Sequence, residues 1–176
     1  MSVGKPAALV VHGWTIFAHP SFLDQLQALA QQVEVLKKKD PLGYDKKNAS
    51  KRLAAISKLA FDVIPQDPGR PEYRQGSALG NAYKHWFRAK LFQQYRLFFQ
   101  FHAPGKMIVL AWVNDEDSKR ACGSGNDAYR VFGQMRHSGH PPDDWEQLLP
   151  QARARNERLA GLGNPGAAGS GSDNGA

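Results

Sequence analysis

The sequence predicts an α+β domain in which an antiparallel helix hairpin packs on a small antiparallel sheet. Two amphipathic segments with helical spacing follow one another between residues 21 and 64. Three segments rich in strand-forming residues follow between residues 85 and 113. The fold class therefore follows from the order of a strand, a helix pair, a sheet and short C-terminal helices. With 176 residues, the chain is long enough for one domain with its own core.

The first half of the chain predicts one strand and two helices. Residues 13–19 (GWTIFAH) are rich in strand formers, and apolar residues recur at helical spacing over residues 21–38 and again over residues 46–64. The DPLG segment at residues 40–43 interrupts the helical pattern, and so short a connection predicts an antiparallel hairpin. The lysines along it are typical of a solvated face, with a binding site as the less favoured alternative. They are Lys37, Lys38, Lys39, Lys46, Lys47 and Lys51.

The second half predicts three strands and two helices. The strands are expected at residues 85–91, 95–103 and 106–113, and the third is almost wholly apolar, as a central strand is. A short helix is expected over residues 127–136 and a last helix over residues 143–156. We expect one folded domain over residues 1–158. Residues 159–176 are rich in Gly, Ala and Ser, which predicts a disordered tail.

The stretch between Tyr73 and Asn114 contains no acidic residue. It holds ten of the chain's eighteen aromatic residues, interleaved with cations as in WFRAK and YRLFF. The net charge of +7 and the pI near 9.6 also indicate an anionic partner. Cations that hold phosphates and rings that stack on bases suit RNA or another single-stranded nucleic acid. The cations of the stretch are Arg74, Lys84, Arg88, Lys90, Arg96 and Lys106.

Other classes of protein fit the sequence less well. The longest apolar run, Met107–Val113, is too short to span a membrane, and the first eleven residues lack the pattern of a signal peptide, so we expect a cytoplasmic protein. The single Cys122 excludes an internal disulfide and a cysteine-rich zinc site. The spacing of His85, His102, His137 and His140 matches no zinc pattern, and structural roles are favoured over acid–base catalysis for them.

Strand alternation separates the aromatic core from the basic face. In residues 95–103 one set is uniformly apolar and belongs on the helix hairpin, whereas the other set is Arg96, Phe98, Gln100 and His102. In residues 85–91 the corresponding set is Trp86, Arg88 and Lys90. If Phe92, Gln93 and Gln94 form a three-residue turn, Lys90 lies opposite Arg96, and these two sets share one face. We expect RNA contacts from Lys84, His85, Trp86, Phe98, His102 and Arg130.

Clustered cations on that face have a chemical consequence. Repulsion within the group of Arg88, Lys90 and Arg96 favours the neutral form of a lysine, which can then act as a general base. The arginines can stabilise charge on a phosphate while the RNA 2′-OH attacks, without a metal or another cofactor. Charge alone supports phosphate binding more strongly than catalysis, so a non-catalytic protein that binds RNA or the ribosome remains the alternative. Tyr129 is equally compatible with a core role and with stacking or proton transfer.

Several longer motifs resemble the YhaV family of bacterial type II toxins, a branch of the RelE-like toxins. The resemblance rests on GWTIFAHPSF, LKKKDP, RQGSALG, WFRAKL, YRLFFQF, WVNDE, DAYRVFGQM and GHPPDDWE. It implies a RelE-like fold and an mRNA endoribonuclease that acts at the ribosome and inhibits translation. It also implies a PrlF-type antitoxin partner, with operator DNA bound only through the toxin–antitoxin complex.

The resemblance also assigns roles to individual residues. The strand cations of RelE-like toxins correspond to Arg88 and Lys90, and the arginine of the YRL motif is Arg96. A basic residue after the last strand corresponds to Arg120, and a late aromatic residue with an acid–base or stacking role corresponds to Tyr129. RelE-like toxins often carry a tyrosine slightly earlier, where this chain has Ala121 and Cys122. The predicted catalytic set is therefore Arg88, Lys90, Arg96, Arg120 and Tyr129.

Overall fold

The computed structural model describes residues 8–74, 83–115 and 127–162. Within these residues the strands are β1 (Leu9–Val11), β2 (Trp14–Ala18), β3 (Phe87–Leu91), β4 (Tyr95–His102) and β5 (Met107–Val113). The helices are α1 (Pro20–Lys39), α2 (Asn48–Lys58), α3 (Asp127–His137), α4 (Trp145–Arg153) and α5 (Asn156–Leu162). The predicted α+β fold, with a helix hairpin before the main strands and short helices after them, is confirmed.

The sheet has the strand order β1-β2-β5-β4-β3. Its central strand is β5, as its apolar sequence predicted, and β5 is antiparallel to β4 but parallel to β2. Parallel strands need a long crossover connection, and the chain between β2 and β5 contains the helix hairpin, β3 and β4. Strand β1, which was not predicted, extends β2 into an antiparallel hairpin.

The helix hairpin begins at a capped helix end. His19 precedes α1, and its Nδ1 accepts a hydrogen bond from the Ser21 backbone N–H at 3.2 Å. After α1, a 3₁₀ turn at Tyr44–Lys46 leads into α2. Helix α2 continues through a π-helical segment, Leu59–Val63, and a last turn, Ile64–Gln66, which together cover the predicted second helix.

Two apolar cores lie on opposite faces of the sheet. The first core joins Leu97, Phe99 and Leu110 of the sheet to the inner sides of α1 and α2. The second core joins Phe98, Val109 and Trp112 to Phe132 of α3 and Leu148 of α4. A β-bulge between Phe98 and Phe99 shifts the β4–β5 register. Helices α3 and α4 thus cover much of the face that we expected to be open to RNA.

Some predictions concern residues outside the described ranges. Arg120, Cys122 and most of the RQGSALG motif are among them, as are residues 163–176 of the predicted tail. The chain is still helical between residue 159, where we expected the tail to begin, and Leu162, and the Leu159 side chain is fully buried. In the part of the chain that the structure describes, no helix has the length and apolar character needed to cross a membrane.

Candidate active site

The β3–β4 hairpin has the register that the basic face requires. Lys90 pairs with Arg96 and Leu91 pairs with Tyr95, so the turn consists of Phe92, Gln93 and Gln94 as predicted. Phe92 and Gln93 adopt positive φ angles of 47° and 58°, which a three-residue turn accommodates at some backbone cost. The predicted shared face is confirmed, with Arg88, Lys90 and Arg96 on the same side of the sheet.

Tyr129 is the point on which the two arginines converge. Its hydroxyl oxygen accepts a hydrogen bond from Nε of Arg88 at 2.8 Å and another from Nε of Arg96 at 3.3 Å. Both arginines and Tyr129 are half-buried, and Lys90 is exposed beside them. Tyr129 stands in the first turn of α3, so the positive end of the helix dipole lies at the same place. We call Arg88, Lys90, Arg96 and Tyr129 the cationic cluster.

Backbone carbonyl groups fix the remaining geometry of the two guanidinium groups. Nη1 of Arg96 donates to the carbonyl oxygens of Gln93 at 2.7 Å and Tyr95 at 2.8 Å. Nη1 of Arg88 donates to the carbonyl oxygen of Glu72 at 3.0 Å. All five hydrogen bonds described for these side chains therefore end on uncharged oxygens, which orient the guanidinium groups without neutralising them.

Asn114 holds the turn that carries Arg96. Its buried side chain accepts a hydrogen bond from the Arg96 backbone N–H at 2.7 Å and donates to the Gln94 carbonyl oxygen at 3.0 Å. Asn114 directly follows the central strand, so it connects the turn to the most rigid part of the sheet. Sequence reasoning placed Asn114 in the WVNDE motif but assigned it no role. The signal available in the sequence was an amide side chain directly after an apolar strand.

Two predicted RNA contacts belong to the core instead. Trp86 and Phe98 are fully buried, so neither offers a ring face to a base, and their assignment to RNA binding was wrong. Phe98 stacks on Phe132 with ring centroids 4.1 Å apart and contacts the Tyr129 ring edge-on at 5.6 Å. Its role is to position Tyr129. Strand alternation assigned both residues to the correct face but could not show that α3 covers that face.

Other predicted contacts lie away from the cationic cluster. His102 is six residues along β4 from Arg96, a separation of about 20 Å, and stacks on Trp145. His85 and Lys84 precede β3, which places them towards the same end of the sheet as His102; all three are exposed. Nε2 of His85 lies 2.9 Å from the Asp143 carbonyl oxygen. Arg130 is exposed on α3 and follows Tyr129 in the sequence.

Asp143 connects the elements around Lys84, His85 and His102. Its carboxylate accepts hydrogen bonds from the Trp86 indole N–H at 2.9 Å and from the buried Arg136 at 3.1 Å. Its carbonyl oxygen accepts a third bond from the Gln100 amide at 2.9 Å. Arg136 also lies over the Tyr83 ring, 3.9 Å from its centroid. The GHPPDDWE motif is therefore structural at Asp143, because it fastens α4 to the sheet.

The cationic cluster is built to receive an anion. Two unit charges about 6 Å apart repel each other by roughly 3 kcal/mol at an effective dielectric constant of about 20. An anion between the guanidinium groups would remove this repulsion and gain charge-assisted hydrogen bonds. Arginine is the residue best suited to a phosphate, because its planar fork can donate two hydrogen bonds to one group. Fold and cluster together thus define an α+β protein with clustered cations whose chemistry suits a phosphate-sized anion.

Comparison with known proteins identifies the family. A family model described as a toxin with endonuclease activity, of a toxin–antitoxin system, matches residues 16–153. "Toxin YhaV" of Escherichia coli O6:H1 is 44% identical over 143 residues, which are 80% of this chain and 93% of the relative. "Ribonuclease toxin YhaV" of Escherichia coli K12 is 44% identical over 140 residues, covering 78% and 91%. No solved structure matches the chain significantly.

These findings classify the chain as a toxin of a toxin–antitoxin system with endonuclease activity. It belongs to the YhaV family. A toxin of this kind has an antitoxin as its protein partner.

Proposed function

We propose that the chain is an endoribonuclease that cleaves mRNA at the cationic cluster and thereby inhibits translation and growth. The observation that supports this proposal best is the convergence of Arg88 and Arg96 on the hydroxyl of Tyr129. Guanidinium groups held by uncharged oxygens keep their positive charge for the scissile phosphate. The name of the K12 relative, a ribonuclease toxin, supports RNA as the substrate.

The proposed reaction uses the RNA's own nucleophile. The 2′-oxygen attacks the neighbouring phosphorus, and its proton passes to Lys90 as the general base, which lies on β3 opposite Arg96. Negative charge that develops on the non-bridging oxygens is stabilised by Arg88 and Arg96. The bond from phosphorus to the 5′-oxygen breaks. The products are a 2′,3′-cyclic phosphate and a free 5′-hydroxyl group.

Tyr129 is proposed to deliver the proton to the leaving 5′-oxygen. A phenol has two lone pairs and one proton, and both lone pairs of Tyr129 face the arginine Nε–H donors. The phenolic proton is therefore oriented towards a third group, which in the complex would be the RNA. The packing of Phe98 against the Tyr129 ring limits the positions that the hydroxyl can occupy. In the same proposal, Arg120 and Arg130 hold flanking phosphates.

The proposed setting follows from this substrate. We place the chain in the cytoplasm, where mRNA is translated, and propose that it cleaves mRNA on the ribosome. The exposed Lys84, His85 and His102, which lie towards the other end of β3 and β4 from Lys90 and Arg96, would contact RNA beyond the cleavage point. A PrlF-type antitoxin is proposed to neutralise the toxin, and operator DNA would be bound only through the toxin–antitoxin complex.

Arg96→Ala and Tyr129→Phe test the proposal against a matched control. Loss of one charge-stabilising donor lowers the cleavage rate by about 10²–10³-fold, and loss of a proton donor lowers it by about 10²–10⁴-fold. Arg155→Ala removes an exposed arginine from the turn between α4 and α5 and should leave cleavage unchanged. The assay measures cleavage of a labelled mRNA, with and without ribosomes. The 3′ ends are identified by mass spectrometry.

RNA binding distinguishes the catalytic proposal from the alternative of a non-catalytic translation inhibitor. Arg96→Ala should still bind RNA or ribosomes, because other cations remain, yet should no longer inhibit growth. A substrate with a 2′-deoxy sugar at the cleavage point should bind but not be cut. Wild-type cleavage by Arg96→Ala would refute the assignment of the site. Growth inhibition by a protein that cuts no RNA would favour the non-catalytic function.

A further inference from the structure

A groove lies along the outer side of the helix hairpin, away from the cationic cluster. It has a volume of about 610 Å³ and a wall formed mainly by apolar atoms. Val33 of α1, Tyr44, and Leu53, Ala54 and Phe61 of the second helix line it. Leu53 and Phe61 also border the first core, whereas Tyr129 packs against the second core. The groove and the cluster are therefore on opposite faces of the sheet.

The floor of the groove includes a row of small side chains. Ser50, Ala54 and Ser57 line one side of α2 at helical spacing, and their small side chains leave a channel along the helix axis. Beyond Lys58 the helix changes to π-helical geometry over Leu59–Val63, and Phe61 and Asp62 of this segment form the end of the groove. Short π-helical segments within α-helices are rare and occur frequently at functional sites.

The segment that carries the groove is rich in basic residues. Residues 37–58 contain seven lysines and one arginine but only two acidic residues, Asp40 and Asp45. Lys51 and Lys58 line the groove, seven residues apart on α2 and therefore about 10 Å apart along its axis, and Lys37 lies over the ring of Tyr44, another lining residue. Asp45 and Asp62 also line the groove, and the Asp62 carboxylate is paired with His12. An apolar floor in a segment with more cations than anions is complementary to an amphipathic helix with acidic residues beside its apolar stripe.

We propose that this groove is the docking site for an acidic amphipathic helix of the antitoxin. The inference rests on the family's toxin function, because that function supplies the antitoxin as partner, but it does not depend on the proposed catalytic residues. A helix bound here places two carboxylates, spaced two helical turns apart, against Lys51 and Lys58. Its apolar side chains lie over Ala54. It anchors the antitoxin on the face opposite the cationic cluster and does not by itself cover Arg88 or Arg96.

Ala54→Glu is the direct test of the groove. It adds bulk and negative charge to the floor, at an exposed helical position where glutamate is well tolerated. Ala28→Glu is the matched control, since Ala28 is also an exposed helical alanine but lies on α1 outside this groove. The probe is the antitoxin encoded in the same operon, and its Kd for the purified toxin variants is measured by calorimetry.

We expect Ala54→Glu to raise the Kd at least about 30-fold, the size of a hot-spot loss, and Ala28→Glu to change it less than about threefold. The double variant Lys51→Glu/Lys58→Glu should weaken binding and reduce its salt dependence. All variants should cut RNA as the wild type does when antitoxin is absent. An unchanged Kd for Ala54→Glu, or an equal loss with Ala28→Glu, would overturn the inference. Groove-dependent binding by a toxin that cuts no RNA would instead refute only the proposed catalysis.

Discussion

Asp143 offers the sharpest test of how α4 is fastened to the sheet. The Asp143→Ala variant removes the carboxylate that holds the Trp86 indole N–H and the Arg136 guanidinium group. The Arg136 side chain is only 6% exposed, so the variant leaves a buried charge without its anionic partner. Breaking a fully buried pair in this way costs about 3–5 kcal/mol.

The expected loss is at the lower end of that range. The Asp143 side chain is 36% exposed, so water can partly replace its carboxylate. The rings of Tyr83 and Phe132 continue to stabilise the Arg136 cation. The Trp86 N–H, however, loses its acceptor inside the second core. We therefore expect Asp143→Ala to lower the free energy of unfolding by about 3 kcal/mol, or Tm by about 10 °C for a domain of this size.

Asp143→Asn and Asp144→Asn complete the experiment, which follows urea unfolding by tryptophan fluorescence. Asp143→Asn keeps an oxygen for the Trp86 N–H but loses the charge, so about half of the effect should remain. Asp144 caps α4 from an exposed position, and asparagine caps nearly as well as aspartate, so Asp144→Asn should cost less than about 0.5 kcal/mol. A loss below 1 kcal/mol for Asp143→Ala, or an equal loss for Asp144→Asn, would refute the role of Asp143.

Two further predictions concern a positioning residue and a buried histidine. Asn114→Ala removes both hydrogen bonds that hold the β3–β4 turn. The kcat for RNA cleavage should therefore fall at least about tenfold, while the Tm falls by less than about 8 °C. An unchanged kcat would exclude a positioning role for Asn114. Burial lowers the pKa of His19 below its ordinary value of 6.5, so the unfolded chain takes up a proton first as the pH falls. Stability therefore begins to fall near pH 6.5 and continues to fall below it until the folded His19 is also protonated. His19→Asn keeps a side-chain cap for α1 and should flatten this dependence of the urea midpoint on pH, whereas an equally steep profile would show that another group is responsible.

Local patterns in the sequence were sufficient for most of the fold. The helical spacing in α1 and α2 and the alternation in β4 arise from burial on one side, and each element is long enough to show its period. The β3–β4 register followed from the number of residues in the turn, since only a turn with an odd number of residues places Lys90 opposite Arg96. Strand β1 was missed because three residues are too few to establish alternation, and its Val10 side chain is exposed.

The candidate site was less predictable because much of it depends on long-range packing. Arg88, Lys90, Arg96 and Tyr129 were named in advance, and the structure brings them together. The burial of Trp86 and Phe98 depends on Phe132 of α3, which lies 46 and 34 residues further along the chain, respectively. Backbone acceptors such as the Glu72 and Gln93 carbonyl groups carry no signal in the side-chain sequence. Alternation assigns a residue to a face, but only tertiary structure decides which part of that face remains open.

The way in which Arg88 and Arg96 are held gives a physical reason for the absence of acidic residues between Tyr73 and Asn114. A carboxylate would orient a guanidinium group equally well, but the resulting ion pair would attract a phosphate only weakly. Glu72 illustrates the solution, because its carbonyl oxygen binds Arg88 while its own carboxylate is turned towards Arg70. The phenol of Tyr129 and the carbonyl of Gln93 likewise fix geometry without adding charge. Within the described residues, the hydrogen bonds that orient the two guanidinium groups therefore add no negative charge, which makes the positive charge a property of the site and not only of the composition.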